Sequence, residues 1–324
     1  MLNSIISHTD EITQIKVPLP FPLRWVNAYL VRGSHGYTVI DPGLHTPDAE
    51  ALWQQALSEL GIAFEHIEQI VLTHHHPDHY GMAGWFQART GAPVLLSETG
   101  LRQVRLMWND EQPMSALLLE LFVRHGLPQA GLEEMTKHMT SFVELVSPQP
   151  EVTLLREGHV RLGDRVYEAI ETPGHAAGHL VFYDAEAETI FCGDHVLPQI
   201  SPNVSFLPQV EDNPLGAYLR SLQEMAALKV KMAYPGHREP WSGFSARSEE
   251  LVRHHHERLA LMEDRLSAPL SAYEVCRATF GDRLSVHQLR FALSETIAHL
   301  VLLEADGRIR QLAPDNGIHG FVRV

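Results

Sequence analysis

The feature that most constrains the fold is a run of metal-binding residue types directly after an apolar segment. Residues 67–72 are suited to a buried strand, and they lead into residues 73–79, which read Thr-His-His-His-Pro-Asp-His. Alternate residues of a strand point to the same side, so His74 and His76 can bind one ion together. His75 points to the other side, and we do not expect it to be a ligand.

The second half of this segment adds a carboxylate and another imidazole. Asp78 and His79 follow the turn at Pro77 and open the next helix, where they can face a second ion. Imidazole and carboxylate ligands without thiolate suit zinc, and they also suit iron, manganese or nickel. The pattern H-x-H-x-D-H therefore predicts a metal site.

Three further donors follow in the sequence, each at the end of an apolar strand. His175 ends Thr-Pro-Gly-His, Asp194 ends Phe-Cys-Gly-Asp, and His237 ends Tyr-Pro-Gly-His. Donors at the carboxyl ends of strands can gather along one edge of packed sheets. The alternative is that these histidines are hydrogen-bonded core residues or surface residues with no metal. That alternative explains an ordered set of this kind poorly.

Composition narrows the class of partner. The chain has 324 residues, with 25 Lys and Arg against 40 Asp and Glu, and its formal net charge is −15. Nucleic-acid-binding proteins usually carry a basic surface, so this balance favours a small-molecule substrate and no nucleic acid. With two cysteines and no C-x-x-C, a disulfide framework and cysteine zinc sites are disfavoured, whereas 21 histidines fit a metal protein.

The sequence also bears on location. No apolar run approaches the roughly 18–20 residues that cross a bilayer. Residues 1–20 lack a basic stretch followed by an uninterrupted apolar one, so no secretory signal is expected. We therefore expect a cytoplasmic protein with no membrane partner.

Periodicity predicts strands and helices in alternation over the first hundred residues. Residues 12–41 alternate apolar and polar side chains and predict short antiparallel strands. Helical patterns follow at 47–61 and 79–90, with strands at 67–72 and 93–96. The chain is thus expected to form mixed sheets with covering helices.

Residues 98–146 interrupt this alternation. Their leucines and methionines recur at helical spacing, which predicts two or three inserted helices. Such an insertion can form a lid over the metal site, and it can equally pack core or form a homodimer contact. If it faces the site, its apolar side chains would suit an apolar acyl group. These are Met107, Trp108, Met114, Leu117 and Phe122.

Strands are predicted again from 151 to 194, followed by a helix at 214–228 and a strand at 231–234. Residues 245–324 are predicted to be mostly helical and to end in a small strand pair at 309–312 and 321–324. We expect a catalytic domain at 1–250, carrying the insertion at 98–146, and a C-terminal domain at 251–324.

The ordered motifs H-x-H-x-D-H, T-P-G-H, G-D and G-H resemble the metallo-β-lactamase superfamily over residues 12–245. The resemblance implies the α/β (α+β) class and an αββα sandwich, two sheets flanked by helices. It implies a dinuclear centre, with residues in the following roles. His74, His76 and His175 would hold the first metal, Asp78, His79 and His237 the second, Asp194 would bridge both, and Asp41 and His179 would orient ligands.

The resemblance also implies a chemistry. Two divalent ions about 3.5–4 Å apart can share a water and lower its pKa toward roughly 7, which gives a hydroxide for attack on an acyl carbonyl. Asp78 is the candidate proton shuttle. Because true β-lactamases lack the bridging carboxylate, Asp194 favours the glyoxalase II-like and lactonase-like branches, which cleave thioesters, esters or lactones. We expect two divalent ions, zinc first, with iron or manganese as alternatives.

Two other activities share this ligand pattern. Persulfide dioxygenases resemble it but use a single iron for oxygen chemistry. A metal-dependent nuclease or phosphodiesterase of the same superfamily fits the C-terminal residues better than it fits the charge. Flavodiiron proteins fit less well, because they carry a glutamate at the position of His76.

The remaining histidines and the tail carry weaker signals. His195 could point into the cleft or away from it, and residues 254–256 are interpreted as a solvated or domain-contact face. Residues 265–324 resemble the winged-helix tail of some proteins in this superfamily. The acidic balance favours a packing or dimerisation role for this tail over DNA contact.

Overall fold

A computed structural model describes residues 4–109, 113–155 and 158–324. The predicted insertion at 98–146 therefore includes three residues, 110–112, that lie outside the described residues. Within the described part, no helix is both long enough and apolar enough to cross a membrane.

The first sheet contains the N-terminal strands. Its seven strands lie in sequence order, antiparallel from the first to the fourth and parallel from the fourth to the seventh. They are β1 (Ile5–Ser7), β2 (Ile12–Pro18), β3 (Trp25–Arg32), β4 (Tyr37–Ile40), β5 (Ile67–Val71), β6 (Val94–Leu96) and β7 (Val152–Leu154). The antiparallel strands expected within 12–41 are present, and β1 precedes them.

Helices connect the parallel strands. The first, α1 (Pro47–Leu60), begins at Thr46, whose side chain accepts from the Ala49 N–H, and ends at Gly61 in a left-handed conformation. The prediction of a single helix over 79–90 is wrong in one respect. Two helices form there, α2 (Pro77–Tyr80) and α3 (Ala83–Thr90). They separate because the Met82 N–H donates to the carbonyl of Gly43, at 2.8 Å, instead of to the preceding helical turn.

The insertion forms helices, as its spacing predicts. These are α4 (Glu98–Met107), α5 (Pro113–Arg124) and α6 (Leu132–Thr140). Single 3-10 turns lie at Gln129–Gly131 and Glu144–Val146, and another precedes β5 at Phe64–His66. Most apolar residues of the insertion belong to the main core, where Met107, Trp108, Met114 and Phe122 are buried, whereas Leu117 is half-buried and outside it.

The second sheet has five strands in the order β12-β11-β10-β9-β8. They are β8 (Gly158–Leu162), β9 (Arg165–Glu171), β10 (Leu180–Asp184), β11 (Thr189–Gly193) and β12 (Met232–Pro235). The predicted hairpin is the pair β10–β11. β12 joins parallel to β11 after the crossover helix α7 (Pro214–Ala226).

Alternation along the strands explains why the two sheets pack face to face. Tyr29 of the first sheet meets Phe191 and Tyr234 of the second, with ring centroids 5.3 and 5.6 Å away. The next residue of β3, Leu30, points to the opposite face and joins the core under the helices. Two apolar faces per strand require cover on both sides, which gives the αββα sandwich that the motifs imply.

The C-terminal part adds helices and a small third sheet in the order β13-β15-β14. Its elements are α8 (Phe244–Arg265), β13 (Leu270–Ser271), α9 (Ala272–Phe280), α10 (Val286–Ala305), β14 (Ile309–Gln311) and β15 (Gly320–Arg323). The expected strand pair at the end is present, and β13 adds to it. The boundary expected at 250/251 lies inside α8.

Trp53 offers a test of the helix–sheet core. It is fully buried, packs edge-on against Phe86 with centroids 4.8 Å apart, and donates its indole N–H to the carbonyl of Pro42 at 2.8 Å. Trp53→Ala should lower the free energy of unfolding by about 3–5 kcal/mol through lost burial and a cavity. Urea denaturation checks this, with the exposed Leu261→Ala as control, and equal unfolding midpoints for both variants would contradict the packing.

Candidate metal centre

The candidate site lies where several strands of both sheets end. Asp41 follows β4 and the segment 73–79 follows β5 in the first sheet, while Asp194 follows β11 and His237 follows β12 in the second. His175 lies in the loop between β9 and β10. The shared edge expected from the sequence is therefore formed by the carboxyl ends of four strands and one connecting loop.

Three histidines form the first group of the site. His74 Nε2 lies 3.1 Å from His76 Nδ1, which lies 3.0 Å from His175 Nε2. Burial and the neighbouring imidazoles hold the pKa of His74 and of His76 well below the usual value. Burial also lowers the pKa of His175. The group is thus a set of neutral imidazoles whose lone pairs converge on one point.

The second group combines carboxylates with histidines. His237 Nε2 lies 3.2 Å from Asp78 Oδ2, and His79 Nε2 lies 3.9 Å from the same oxygen. Burial alone would lower the pKa of His237, but Asp194 and Asp78 raise it to about 10. The pKa values of the three histidines are lowered in the first group, which contains no carboxylate of its own. The pKa of His237 is raised in the second group, because carboxylates lie close to it.

Asp194 lies between the two groups. Its Oδ2 is 3.3 Å from His237 Nε2 and 3.8 Å from His175 Nε2. Burial alone would raise the pKa of Asp194, but the imidazoles of His237 and His79 hold it well below its usual range. The carboxylate is therefore ionised and contacts donors of both groups.

Two buried atoms fit a cation at this position. Within the part of the chain that the structure describes, His79 Nε2 and Asp194 Oδ1 have no hydrogen-bond partner, and they face each other across 3.4 Å. A buried unpartnered nitrogen and oxygen are costly, and a divalent cation between them satisfies both. The residues present thus fit metal ions at this edge.

Asp41 holds Thr73 and His79 in place through hydrogen bonds. Its carboxylate accepts the Thr73 N–H at 2.8 Å, the Thr73 hydroxyl at 2.6 Å and His79 Nδ1–H at 2.9 Å. Thr73 Oγ1 in turn accepts from His74 Nδ1–H at 2.9 Å. These bonds leave the Nε2 lone pairs of both histidines directed at the site. Asp41 achieves this with φ +49, a left-handed conformation unfavourable for aspartate.

Backbone carbonyls orient two more histidines. His175 Nδ1–H donates to the carbonyl of Asn203 at 2.8 Å, and His237 Nδ1–H donates to the carbonyl of Trp25 at 3.1 Å. In each ring the hydrogen bond at Nδ1 fixes the orientation of the imidazole and leaves Nε2 facing the site.

His179 contacts Asp194 through the backbone. Its Nε2 accepts the Asp194 N–H at 3.2 Å, and its Nδ1–H donates to Thr172 Oγ1 at 2.9 Å. An added Cβ at the adjacent Gly193 would come within 2.6 Å of His179 Nε2. The loop after β11 therefore depends on a glycine with φ +47 that lies against this ring.

His75 and His195 lie outside both groups. Both are fully buried, neither ring has a hydrogen-bond partner among the described residues, and burial lowers the pKa of each to about 3. The His195 ring packs edge-on against Tyr218, with centroids 5.4 Å apart, and lies 6.1 Å from the ring of His179.

Another histidine grouping lies between α8 and α10. His255, Glu295 and His299 are buried close together, but Arg258 forms an ion pair with Glu295. The guanidinium already neutralises this carboxylate, so the arrangement needs no cation. Within 254–256, only His255 is buried in this helix contact, while His256 is exposed.

Several supporting residues were not identified from the sequence. A Cβ at Gly236 would overlap Asp194 Oδ1 and the His79 ring, so its role is to let two strands approach. The position of Gly236 within Pro-Gly-His, beside a predicted ligand, could have indicated this role from the sequence. Asn203 and Trp25 act through backbone carbonyls, which leave no signature in side-chain type.

The insertion and α10 border the centre. Trp108, after α4, donates its indole N–H to the carbonyl of His75 at 3.1 Å. Asn203 Nδ2 donates to the carbonyl of Phe291 on α10, at 3.3 Å. The insertion therefore lies beside the site. A lid or substrate wall, which is one of the roles predicted for the insertion, requires this position.

Asp41→Asn tests the support of His79. An amide can accept fewer of these three hydrogen bonds, so we expect a 10- to 100-fold loss of metal affinity, about the cost of losing a ligand's hydrogen-bond partner. Competition against a chromophoric chelator measures it. Asp164→Asn, at an exposed carboxylate that accepts from Ser34, is the control. Unchanged affinity in Asp41→Asn would refute the role.

Comparison with known proteins adds relatives along the whole chain. A probable metallo-hydrolase of Bacillus subtilis, YqjP, is 30% identical and aligns over 96% of this chain and 98% of its own length. A metallo-beta-lactamase family protein from Thermus thermophilus is 33% identical, with a TM-score of 0.87, over 98% of this chain and all of that one. The similarity therefore includes the C-terminal part.

Two more distant matches concern metal and substrate. A hydroxyacylglutathione hydrolase of Albidiferax ferrireducens is 27% identical over 55% of this chain and 50% of its own length. The structure of TTHA1623 in a di-iron-bound form is 27% identical, with a TM-score of 0.50, over 72% of this chain and 98% of that one.

Two family descriptions match the sequence. The "Metallo-beta-lactamase superfamily" matches residues 23–237, and the "Metallo-beta-lactamase-like, C-terminal domain" matches residues 259–324. The first includes the segment 73–79 and every other donor of both groups. The chain belongs to the metallo-beta-lactamase superfamily.

Proposed function

We propose that this protein hydrolyses an ester, thioester or lactone of a small molecule at a dinuclear metal centre. In this proposal one ion is held by three histidines and the other by the mixed group, with one carboxylate between them. The ligands are His74, His76 and His175 for the first ion, Asp78, His79 and His237 for the second, and Asp194 for both.

The position of Asp194 is the observation that carries the proposal. An ionised carboxylate within 3.8 Å of a histidine of each group is the arrangement that a bridging ligand needs. The position of Asp194 also supports a site that holds two ions over a site that holds a single iron. A single ion among the three histidines would leave the buried charges of the second group without a cation.

Two divalent ions at these positions would supply a water of lowered pKa and an electrophile for a carbonyl oxygen. The residues divide the remaining work. Asp41, Asn203 and Trp25 hold the ligand imidazoles in place, and Asp78, with a side chain 19% exposed, is the carboxylate placed to exchange a proton with solvent.

Substrate and metal are proposed from weaker support. The partial similarity to a hydroxyacylglutathione hydrolase favours a thioester or a related acyl compound. Zinc suits the imidazole and carboxylate ligands, while the di-iron form of TTHA1623 keeps iron as the alternative.

We propose a packing role for the C-terminal part. Its order of helix, strand, two helices and two strands supports the winged-helix resemblance, and helix-turn-helix proteins of this kind place a recognition helix in the major groove of DNA. Here that helix would be α10, whose residues from Ala292 to Leu300 are buried and which packs against α6, α7, α8 and α9. The buried part of α10 cannot enter a groove of DNA.

Asp194→Ala tests the bridge. We expect the metal content to fall from two ions per chain to one or fewer, and turnover to fall more than about 100-fold, beyond the usual cost of losing a supporting hydrogen bond. Elemental analysis and initial rates measure both, with the exposed Asp306→Ala as control. Wild-type metal content and rates in Asp194→Ala would rule out the bridging role.

A substrate screen tests the reaction class. Zinc- and manganese-loaded protein should hydrolyse thioesters or lactones faster than phosphodiesters or a chromogenic β-lactam. One iron per chain together with oxygen uptake would instead establish the dioxygenase alternative.

A further inference from the structure

The loop between β11 and α7 supplies the carbonyl that orients His175, and helices of the C-terminal part hold this loop. His175 Nδ1–H donates to the carbonyl of Asn203 at 2.8 Å. Two other carbonyls of the loop, those of Leu197 and Ile200, accept from the Arg247 guanidinium of α8 at 2.8 and 3.0 Å. The loop therefore lies between a proposed metal ligand and the helices that follow β12.

The side chain of Asn203 is hydrogen-bonded at both polar atoms. Its Nδ2 donates to Glu295 Oε2 at 2.8 Å and to the carbonyl of Phe291 at 3.3 Å, both on α10. Its Oδ1 accepts from the Ser205 hydroxyl at 2.6 Å. Two acceptors at the nitrogen and a donor at the oxygen define the orientation of the amide. A side chain fixed in this way also restrains the backbone carbonyl of the same residue.

A further contact attaches the same segment to α10. The Phe206 N–H donates to the carbonyl of Ser294 at 3.1 Å, and Val204 is fully buried in the main core. Residues 203–206 thus contact α10 on both sides of a buried apolar side chain. A displacement of α10 would therefore move the carbonyl to which His175 donates.

Glu295 is the charged member of these contacts. Its side chain is 9% exposed, and its second oxygen, Oε1, forms an ion pair with Arg258 of α8. Burial raises the pKa of Glu295, while Arg258 and the Asn203 amide oppose that rise. A buried ion pair contributes little net stability, because the desolvation of both charges offsets their attraction. The pair does fix the position of the oxygen that faces Asn203.

We propose that Glu295, held by Arg258, positions the metal ligand His175 through Asn203. Glu295 and Arg258 are positioning residues, because they act through another residue. The C-terminal part then helps to build the metal centre in addition to packing against it. This inference rests on the proposed function in one respect, the assignment of His175 as a ligand.

Two double variants that differ only at position 295 test this path. Both remove the ion pair, so neither leaves an unpaired buried charge. R258M/E295M has no acceptor for Asn203 Nδ2, and we expect it to bind one zinc ion about three- to tenfold more weakly, less than the loss of about 10- to 100-fold for a direct partner of a ligand. R258M/E295Q keeps an oxygen at that position and should bind zinc as wild type.

Competition against a chromophoric chelator measures these affinities, and thermal unfolding checks that each variant is folded. Wild-type zinc affinity in R258M/E295M would overturn the proposal, because the oxygen of Glu295 would then have no effect on the ligand. An equal loss in R258M/E295Q would overturn it as well.

N203A tests whether Glu295 acts through Asn203. This variant should weaken zinc binding as R258M/E295M does, and N203A/R258M/E295M should lose no more than N203A, because both changes act on one carbonyl. Losses that add in the combined variant would exclude this path. If R258M/E295M does not fold, N203A keeps the proposal testable, since wild-type zinc affinity in N203A would overturn it.

The imidazole resonance of His175 distinguishes this inference from the proposed function. In zinc-free protein the Nδ1–H proton, assigned by its absence in H175Q, should exchange with water faster in R258M/E295M than in wild type or R258M/E295Q. Equal exchange in all three proteins would overturn the positioning role, whatever their metal content. Failure of the wild type to bind two divalent ions would instead count against the dinuclear centre.

Discussion

The structure depends on a set of hydrogen bonds that fasten the ends of the two sheets together. The Asn27 N–H donates to the carbonyl of Gly236 at 2.7 Å, and the Leu180 N–H donates to the carbonyl of Thr73 at 2.8 Å. Each bond joins a residue of one sheet to a ligand loop of the other. Sheet packing alone tolerates sliding, but these bonds fix the loops after β5 and β12 at one separation. The site therefore requires both sheets, and neither sheet carries it alone.

This fixed separation has an electrostatic consequence. One sheet contributes most of the neutral imidazoles and the other contributes Asp194, so the carboxylate meets histidines of both groups only when the sheets are joined. Asp41 offsets its left-handed conformation by ordering Thr73 and His79 through three hydrogen bonds. A strained residue, Asp41, buried charges and two unpartnered polar atoms that face each other occur together at this edge, which is a usual mark of a functional site.

Local patterns in the sequence predicted much of this arrangement. Strand alternation placed His74 and His76 on one side and excluded His75, because side-chain direction in a strand depends only on neighbouring residues. The Pro-Gly turns predicted where His175 and His237 would lie. Asn203 and Trp25 could not be predicted, because their roles depend on contacts between segments far apart in the chain. The break between α2 and α3 was missed for the same reason, since it depends on the carbonyl of Gly43.

The joined sheet edges are proposed to hold two ions with one carboxylate between them, and the function depends on this arrangement. Anomalous diffraction from crystals of metal-loaded protein, recorded on both sides of the metal absorption edge, tests it most directly. We expect two peaks about 3.5–4 Å apart, one among His74, His76 and His175 and one beside Asp78, His79 and His237, with Asp194 contacting both. A single peak among the three histidines, with Asp194 turned away from it, would contradict the dinuclear centre.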